Sequence, residues 1–302
     1  MTQFRALALS AVVTAALTAC GGGGGGGNTI REVPFTSFSA VAPNETVVMS
    51  GISQTASGTM TVGAGGDISI DTANLGPVDS GNSTARLTYN GFGDLSGMSF
   101  STPQSSASYG AGQIDCTGGL VCTAENATSA AVAVDATAFG WNYQSYGVWF
   151  KEVSSTAFQT GAMSAGAVTP GSAVPTTGMA TFTGLSSGFY VDTAGLPYFT
   201  SANMTANVNF GTRNIGFSTT NTMAGNLNTQ STSSMSGLDL NGTLTYGAGS
   251  SQFSGPVISQ DLSLTGSANG RFYGPNAEEI GGVFGLSGSG QSRMIGAFGG
   301  RQ

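Results

Sequence analysis

The chain has 302 residues, of which 8% are charged: 8 basic against 15 acidic, a net charge of −7. A single lysine, Lys151, and no basic run leave no electrostatic footprint for nucleic acid. Histidine is absent, which removes Ser–His and Cys–His catalysis, the commonest metal ligand and the usual haem ligand.

The first twenty residues, MTQFRALALSAVVTAALTAC, place Arg5 before an apolar run over 6–17. That run is too short and too rich in Ala to span a membrane, which takes about 20 strongly apolar residues. It ends in Leu17-Thr18-Ala19-Cys20, which resembles the lipobox of bacterial lipoproteins. The resemblance implies a signal peptide over 1–19, cleavage before Cys20, and acylation of Cys20 with palmitate-class chains. An ordinary secretory signal with a chance cysteine is the alternative. Seven glycines, 21–27, follow, and residues 20–29 read as a flexible tether between lipid and folded protein. Gly21, rather than Asp, beside the cysteine points to the outer membrane. Cleavage would remove Arg5 and no acid, making the mature chain one unit more negative.

With 49 glycines, much Ser, Thr and Asn, and 39% hydrophobic residues, the composition favours short strands joined by tight turns. In the β-rich region 30–170, strands are expected near 85–92, 107–116, 129–139 and 140–150. Ala dominates 129–139, so a short helix is the competing reading there. Cys116 and Cys122 flank a five-residue loop with two glycines. In an oxidising compartment a disulfide is the favoured state, since a metal site would need ligands the neighbourhood lacks. Residues 161–178 read as a crossing linker, with a boundary near 170.

Beyond that boundary, period-two alternation recurs. SANMTANVNF (201–210) puts Ala202, Met204, Ala206, Val208 and Phe210 on one face and polar residues on the other. LDLNGTLTY (238–246) and LSLTGSANGRF (262–272) repeat the pattern. Eight strands are expected near 177–184, 202–211, 213–219, 237–247, 251–258, 261–274, 280–287 and 292–299. Residues 186–199 look like a hairpin extension with its tip at Gly195-Leu196-Pro197. Eight sequential antiparallel strands can close on themselves and remove their edges, leaving an interior that side chains just fill. Phe272, Phe284 and Phe298 belong inside. A membrane-spanning barrel would alternate similarly, but it needs strands of about 9–11 residues and aromatic girdles that this sequence lacks.

The segment NGRFYGPNAEEIGGVF (269–284) and the closing GAFGGR (296–301) resemble the barrel domain of transferrin-binding protein B-like surface lipoproteins of Gram-negative bacteria. Tyr143-Gln-Ser-Tyr-Gly-Val-Trp149 resembles a segment that precedes the barrel in smaller members. The resemblance implies an all-β chain: an eight-stranded antiparallel barrel over 171–302, preceded by a smaller β-rich region over 30–170. It also implies a structural role for Glu279, accepting backbone N–H groups in the 274–278 turn. Glu278 and Glu279, as neighbours in extended chain, point apart, unlike the flanking carboxylates of a glycosidase.

These observations lead to a non-enzymatic, outer-membrane-anchored lipoprotein, monomeric and without cofactor. It would bind a protein partner or a captured nutrient, iron- or haem-related among the options. Haem would have to be held by Tyr or Met. Trp141, Tyr143, Tyr146 and Trp149 are the candidate partner-binding aromatics. A structural envelope lipoprotein without a specific ligand is the alternative, followed by an envelope glycan hydrolase.

Overall fold

The computed structural model describes residues 30–302 except 117–119 and 262. The signal peptide, Cys20 and the tether lie outside the described residues. The chain is all-β and builds two sheets.

The first sheet is organised by one long hairpin. Strand β1 (Arg31–Pro34) runs parallel to the start of β2 (Glu45–Val62), and β2 turns at 63–67 into the antiparallel β3 (Ile68–Tyr89). Val47 and Met49 point inward and Ser50 outward, the alternation of a half-buried strand. Three register shifts, near Ser53, Ala56 and Met60, let so long a hairpin bend. The sheet continues through β4 (Leu95–Ser101), β5 (Ser106–Tyr109), β6 (Ile114–Asp115), β7 (Val121–Glu125), β8 (Ser129–Val134), β9 (Gln144–Ser154) and β10 (Ala157–Gly166). Its order is β5-β4-β3-β2-β10-β9-β8-β7-β6.

This region differs from the sequence reading in several ways. It holds ten strands rather than four, and the β2–β3 hairpin is its backbone. Segment 107–116 divides into β5 and β6 around Gly112, which has φ 81°. Segment 129–139 forms no helix: pairing with β7 and β9 overrides the alanine propensity. The strand stops at Asp135, whose Oδ1 accepts N–H groups from Thr137 and Ala138. Residues 161–166 belong to β10, so the crossing begins only after Gly166.

The second sheet is a closed antiparallel barrel. Its eight staves are β11 (Met179–Val191), β12 (Pro197–Asn209), β13 (Asn214–Asn226), β15 (Leu240–Tyr246), β16 (Gln252–Ser259), β17 (Thr265–Tyr273), β18 (Glu279–Ser287) and β19 (Arg293–Arg301). A short β14 (Thr232–Ser234) pairs with the end of β13. Pairing of β11 with β19 and of β12 with β13 completes the ring. Residues 186–199 are no separate extension, because β11 and β12 pair without interruption from Met179↔Asn209 to Val191↔Pro197.

Met204, Ala206 and Val208 fill the interior while Asn203 and Asn207 face solvent. Phe272, Phe284 and Phe298 are all fully buried within it. Phe272 touches the rings of Phe182, Phe210, Tyr246 and Phe253, and Phe298 touches those of Phe217 and Phe253. The barrel is therefore packed, not a pore, and this wall is too polar for a lipid-facing band.

Period two explains how the halves join. On β18, Phe284 points into the barrel and Val283 out. On β19, Met294 and Phe298 point in while Ile295 and Ala297 point out. Val283, Ile295, Ala297, Phe189 and Phe199 thereby join the first sheet's apolar core, which lies between that sheet and the barrel's outer wall. Phe189 packs on Phe150 at 5.2 Å between ring centres.

Candidate functional site

The two ends of this assembly differ chemically. At the far end of the long hairpin, the Ile70 N–H bonds Gly195 O at 2.8 Å. Asn228 of the barrel clamps Ile68 twice, accepting its N–H at 2.8 Å and donating to its carbonyl at 2.9 Å. These bonds hold the 63–67 turn against the barrel loop 227–230. A cleft of about 1070 Å³ opens between them and strands β6, β7 and β8. Its apolar floor includes Ala124, Ala131, Val132 and Phe199. Asp67, Asp115 and Glu125 stand among its lining residues, and no lysine or arginine does. Burial raises the Glu125 carboxyl above its ordinary range. Neither Tyr nor Met lines the cleft, so haem ligation has no donor there.

Cys116 and Cys122 form a disulfide beside this cleft, bracing the strands that wall it. Asp135 is their neighbour, but its Oδ1 is occupied by Thr137 and Ala138, and a disulfide sulfur is no thiolate ligand.

At the opposite end lie the entry of the chain at Ile30 and the turn after β3. In that turn Asn90 Oδ1 accepts the N–H groups of Phe92 at 2.8 Å and Asp94 at 3.0 Å. The Asn90 carbonyl accepts from Gly93 and Asn44. The turn is thus fixed from both sides, and it presents the Phe92 ring 77% exposed. The sequence reading ended a strand at this residue. Its signal was available: Asn-Gly-Phe-Gly-Asp is turn chemistry around one aromatic.

Of the four candidate aromatics, three lie in the core and one is half-buried. Trp141, Tyr146 and Trp149 are buried to within 2%. Strand β9, which carries two of them, lies inside the sheet between β8 and β10 and faces the barrel. Trp149 stacks on Phe100 at 5.2 Å and donates to Ser105 Oγ at 3.1 Å. Trp141 packs between Phe139 and Tyr146. Tyr146 Oη lies 3.3 Å from Ser187 Oγ, and burial raises its phenol. Tyr143 is half-buried with its ring against Gly274.

Glu278 and Glu279 do not converge on a substrate. Glu278 accepts from the N–H and amide of Asn276 within its own turn. Glu279 is 3% exposed and accepts backbone N–H groups, though from Asn142 and Tyr143 rather than from the 274–278 turn. It joins the halves. Arg301, donating to Gly140 O at 2.7 Å, adds to the same joint.

Residues 174–302 match the family model described as C-lobe and N-lobe beta barrels of Tf-binding protein B. The carboxy-terminal half is therefore a barrel of the transferrin-binding protein B type. Among solved structures, transferrin binding protein B of Haemophilus parasuis, in a tryptophan-to-alanine variant, is 16% identical. That alignment covers 83% of this chain and 45% of the other, with a TM-score of 0.45. The protein of that name from Neisseria meningitidis is 14% identical over 74% of this chain and 52% of its own, with a TM-score of 0.42. The N-lobe domain of lactoferrin binding protein B from Moraxella bovis is 10% identical over 84% and 99%, with a TM-score of 0.41. The chain thus spans about half the length of the two transferrin binding proteins. No curated protein matches it.

Proposed function

We propose that this chain, which ends in a barrel of the transferrin-binding protein B type, is a non-enzymatic lipoprotein of the Gram-negative outer membrane. Its role is to capture a protein partner at the cleft between the 63–67 turn and the barrel. Residues 1–19 are the signal peptide, 20–29 the lipidated tether, 30–170 the first β domain and 171–302 the barrel domain.

The observation that carries this reading is the cleft itself: a clamped, acid-rimmed and mostly polar opening, shared by both halves. A rim with three carboxylates and no cation suits a partner that offers Lys or Arg. The family description makes iron-carrying transferrins the first partners to try.

The test measures capture of transferrin and lactoferrin by the full chain and by a charge-reversed cleft, Asp67→Lys with Glu125→Lys. Capture that drops at least ten-fold in the reversed variant supports the cleft. Undiminished capture places the partner elsewhere. Absence of any partner for the wild type favours the structural envelope role. Anchoring is tested separately: Cys20→Ser should release the chain from membranes, and unchanged partitioning after normal processing refutes acylation there.

A further inference from the structure

The described residues expose six large apolar side chains, and their placement is uneven. Ile30 (55% exposed), Phe92 (77%), Val168 (36%) and Met179 (82%) lie at the end where the chain enters. The connections establish this. The Arg31 N–H bonds Asn44 O, and the Asn44 N–H bonds Asn90 O, so Ile30 and the Phe92 turn are neighbours. Val168 bridges to Tyr273 just before the 274–278 turn, and Met179 pairs with Asn209 just before the 210–213 turn. Both turns are at the barrel end away from the cleft, because β11 and β12 turn at Gly195 against Ile70. The exposed Ala42 and Pro43 extend the patch beside Asn44.

Charge is distributed in the opposite sense. Asp67, Asp71, Asp115, Glu125, Asp192 and Asp261 stand toward the cleft end, where Lys151 and Arg293 are the cations among the described residues. At the entry end, Arg31 pairs with Glu45 and Arg86 with Glu32, and Asp94 in the Phe92 turn and Glu278 are matched in number by Arg213 and Arg301, so this end is close to neutral.

We infer that the entry end is a lipid-seating surface. Phe92, with Ile30 beside it and Met179 at the same end of the molecule, enters the headgroup–acyl boundary of the phospholipid bilayer that holds the Cys20 acyl chains, and the acidic cleft is thereby turned outward. This rests on the lipoprotein reading. Nine residues lie between Cys20 and Ile30, a contour of at most about 35 Å, so this end is always near the bilayer. The acyl chains of Cys20 hold the chain at the bilayer, and a second, weaker contact by the protein fixes which end faces it. The Phe92 ring is suited to that contact because its turn is already fixed, so seating it costs little ordering entropy. An anionic membrane surface would repel the cleft end and favour the same orientation.

The experiment uses the acylated full chain in phosphatidylcholine vesicles whose acyl chains are brominated or not. One variant carries Phe92→Trp and another Val153→Trp; Val153 is also exposed (55%) but lies at the cleft end, near the 154–157 turn that packs on Thr59. Trp141 and Trp149 are buried and give a constant background. The expected result is at least two-fold quenching of the added indole by brominated lipid in Phe92→Trp, and none in Val153→Trp. Equal, unquenched signals in protein that floats with the vesicles overturn the seat while leaving the anchor intact. Protein that does not float removes the anchor, and the seat falls with it. An indole at 92 shielded only when a soluble protein is added makes the turn a protein-docking site and likewise overturns the inference.

Discussion

Tyr143 donates its backbone N–H to Glu279 Oε2 at 3.0 Å, across 136 residues of sequence and between the two halves of the molecule. Asn142 donates to the other carboxylate oxygen, and its own carbonyl and side-chain oxygen accept from Phe38 and Ser39. One buried acid thus gathers the entry segment, the start of β9 and the closing strands of the barrel. Removing its acceptors leaves two part-buried N–H groups unpaired, each costing about 1–3 kcal/mol. Glu279→Ala should therefore destabilise the protein by about 3–5 kcal/mol in chemical denaturation, and Glu278→Gln by under about 0.5 kcal/mol. Equal costs for the two would remove the special role of Glu279.

The same carboxyl predicts a pH dependence. Burial pushes it up to about 7 from 4.5, against the opposing pull of its amide donors and Arg301. The folded protein then holds the proton more tightly than the unfolded chain. The contribution is fully present below pH 4.5 and is lost as pH rises through about 7. Across that window the wild type should lose about 3 kcal/mol relative to Glu279→Gln, whose side chain does not titrate. A wild type that instead gains on the Gln variant with rising pH would show an ionised carboxylate held below its ordinary range.

Much of the barrel is legible in sequence because strands such as β12 and β15 keep period two and its turns carry Gly, Asn or Asp. Each of the eight expected strands overlaps one of the staves. The first sheet is less legible for a physical reason. The bulges of β2 and β3 break the alternation, and small Ser, Thr and Gly residues on both faces give no contrast. The role of Glu279 depends on docking between segments more than 100 residues apart, and those of Tyr146 and Trp149 on packing against Ser187 and against Phe100 and Ser105 of other strands or turns. Local pattern shows that Trp149 is an aromatic, but not that its strand is central. The cleft is illegible for the same reason, being assembled from six separate stretches of chain.

The interior phenylalanines carry a direct test of the barrel. Phe272→Ala, Phe284→Ala and Phe298→Ala should each cost about 3–5 kcal/mol, the range for truncating a buried ring. Denaturation of the intact chain measures this, and wild-type stability in any of the three would contradict a filled interior.

Reduction of the Cys116–Cys122 bond should have a smaller effect on the fold than on the cleft. Residues six apart close a short loop, which the chain-entropy model values at about 2 kcal/mol. Because Asp115 and Thr123 line the cleft on either side of the bond, partner capture should weaken more than global stability when it is opened. Thiol labelling without reductant should find neither cysteine; labelling of both in native protein would contradict the bond.

The contact between Gln144 and Gly299 offers the sharpest test of how the halves fit. Gln144 is fully buried and lies across the glycines of the barrel wall. A Cβ on Gly299 would stand 2.3 Å from its Nε2 and one on Gly281 2.9 Å from its Oε1. Such approach leaves no room for a methyl group, so Gly299→Ala must displace the buried Gln144 side chain, at about 1–3 kcal/mol. Gln144→Ala alone creates a cavity but exposes no unpaired partner, since neither of its polar atoms has a hydrogen bond. Combined, the two changes fill the space one vacates with the methyl the other adds. The double variant should therefore be more stable than Gly299→Ala alone, a coupling of about 1–2 kcal/mol in a double-mutant cycle. Simple additivity would mean that Gly299 is required by its backbone and not by the close approach of Gln144.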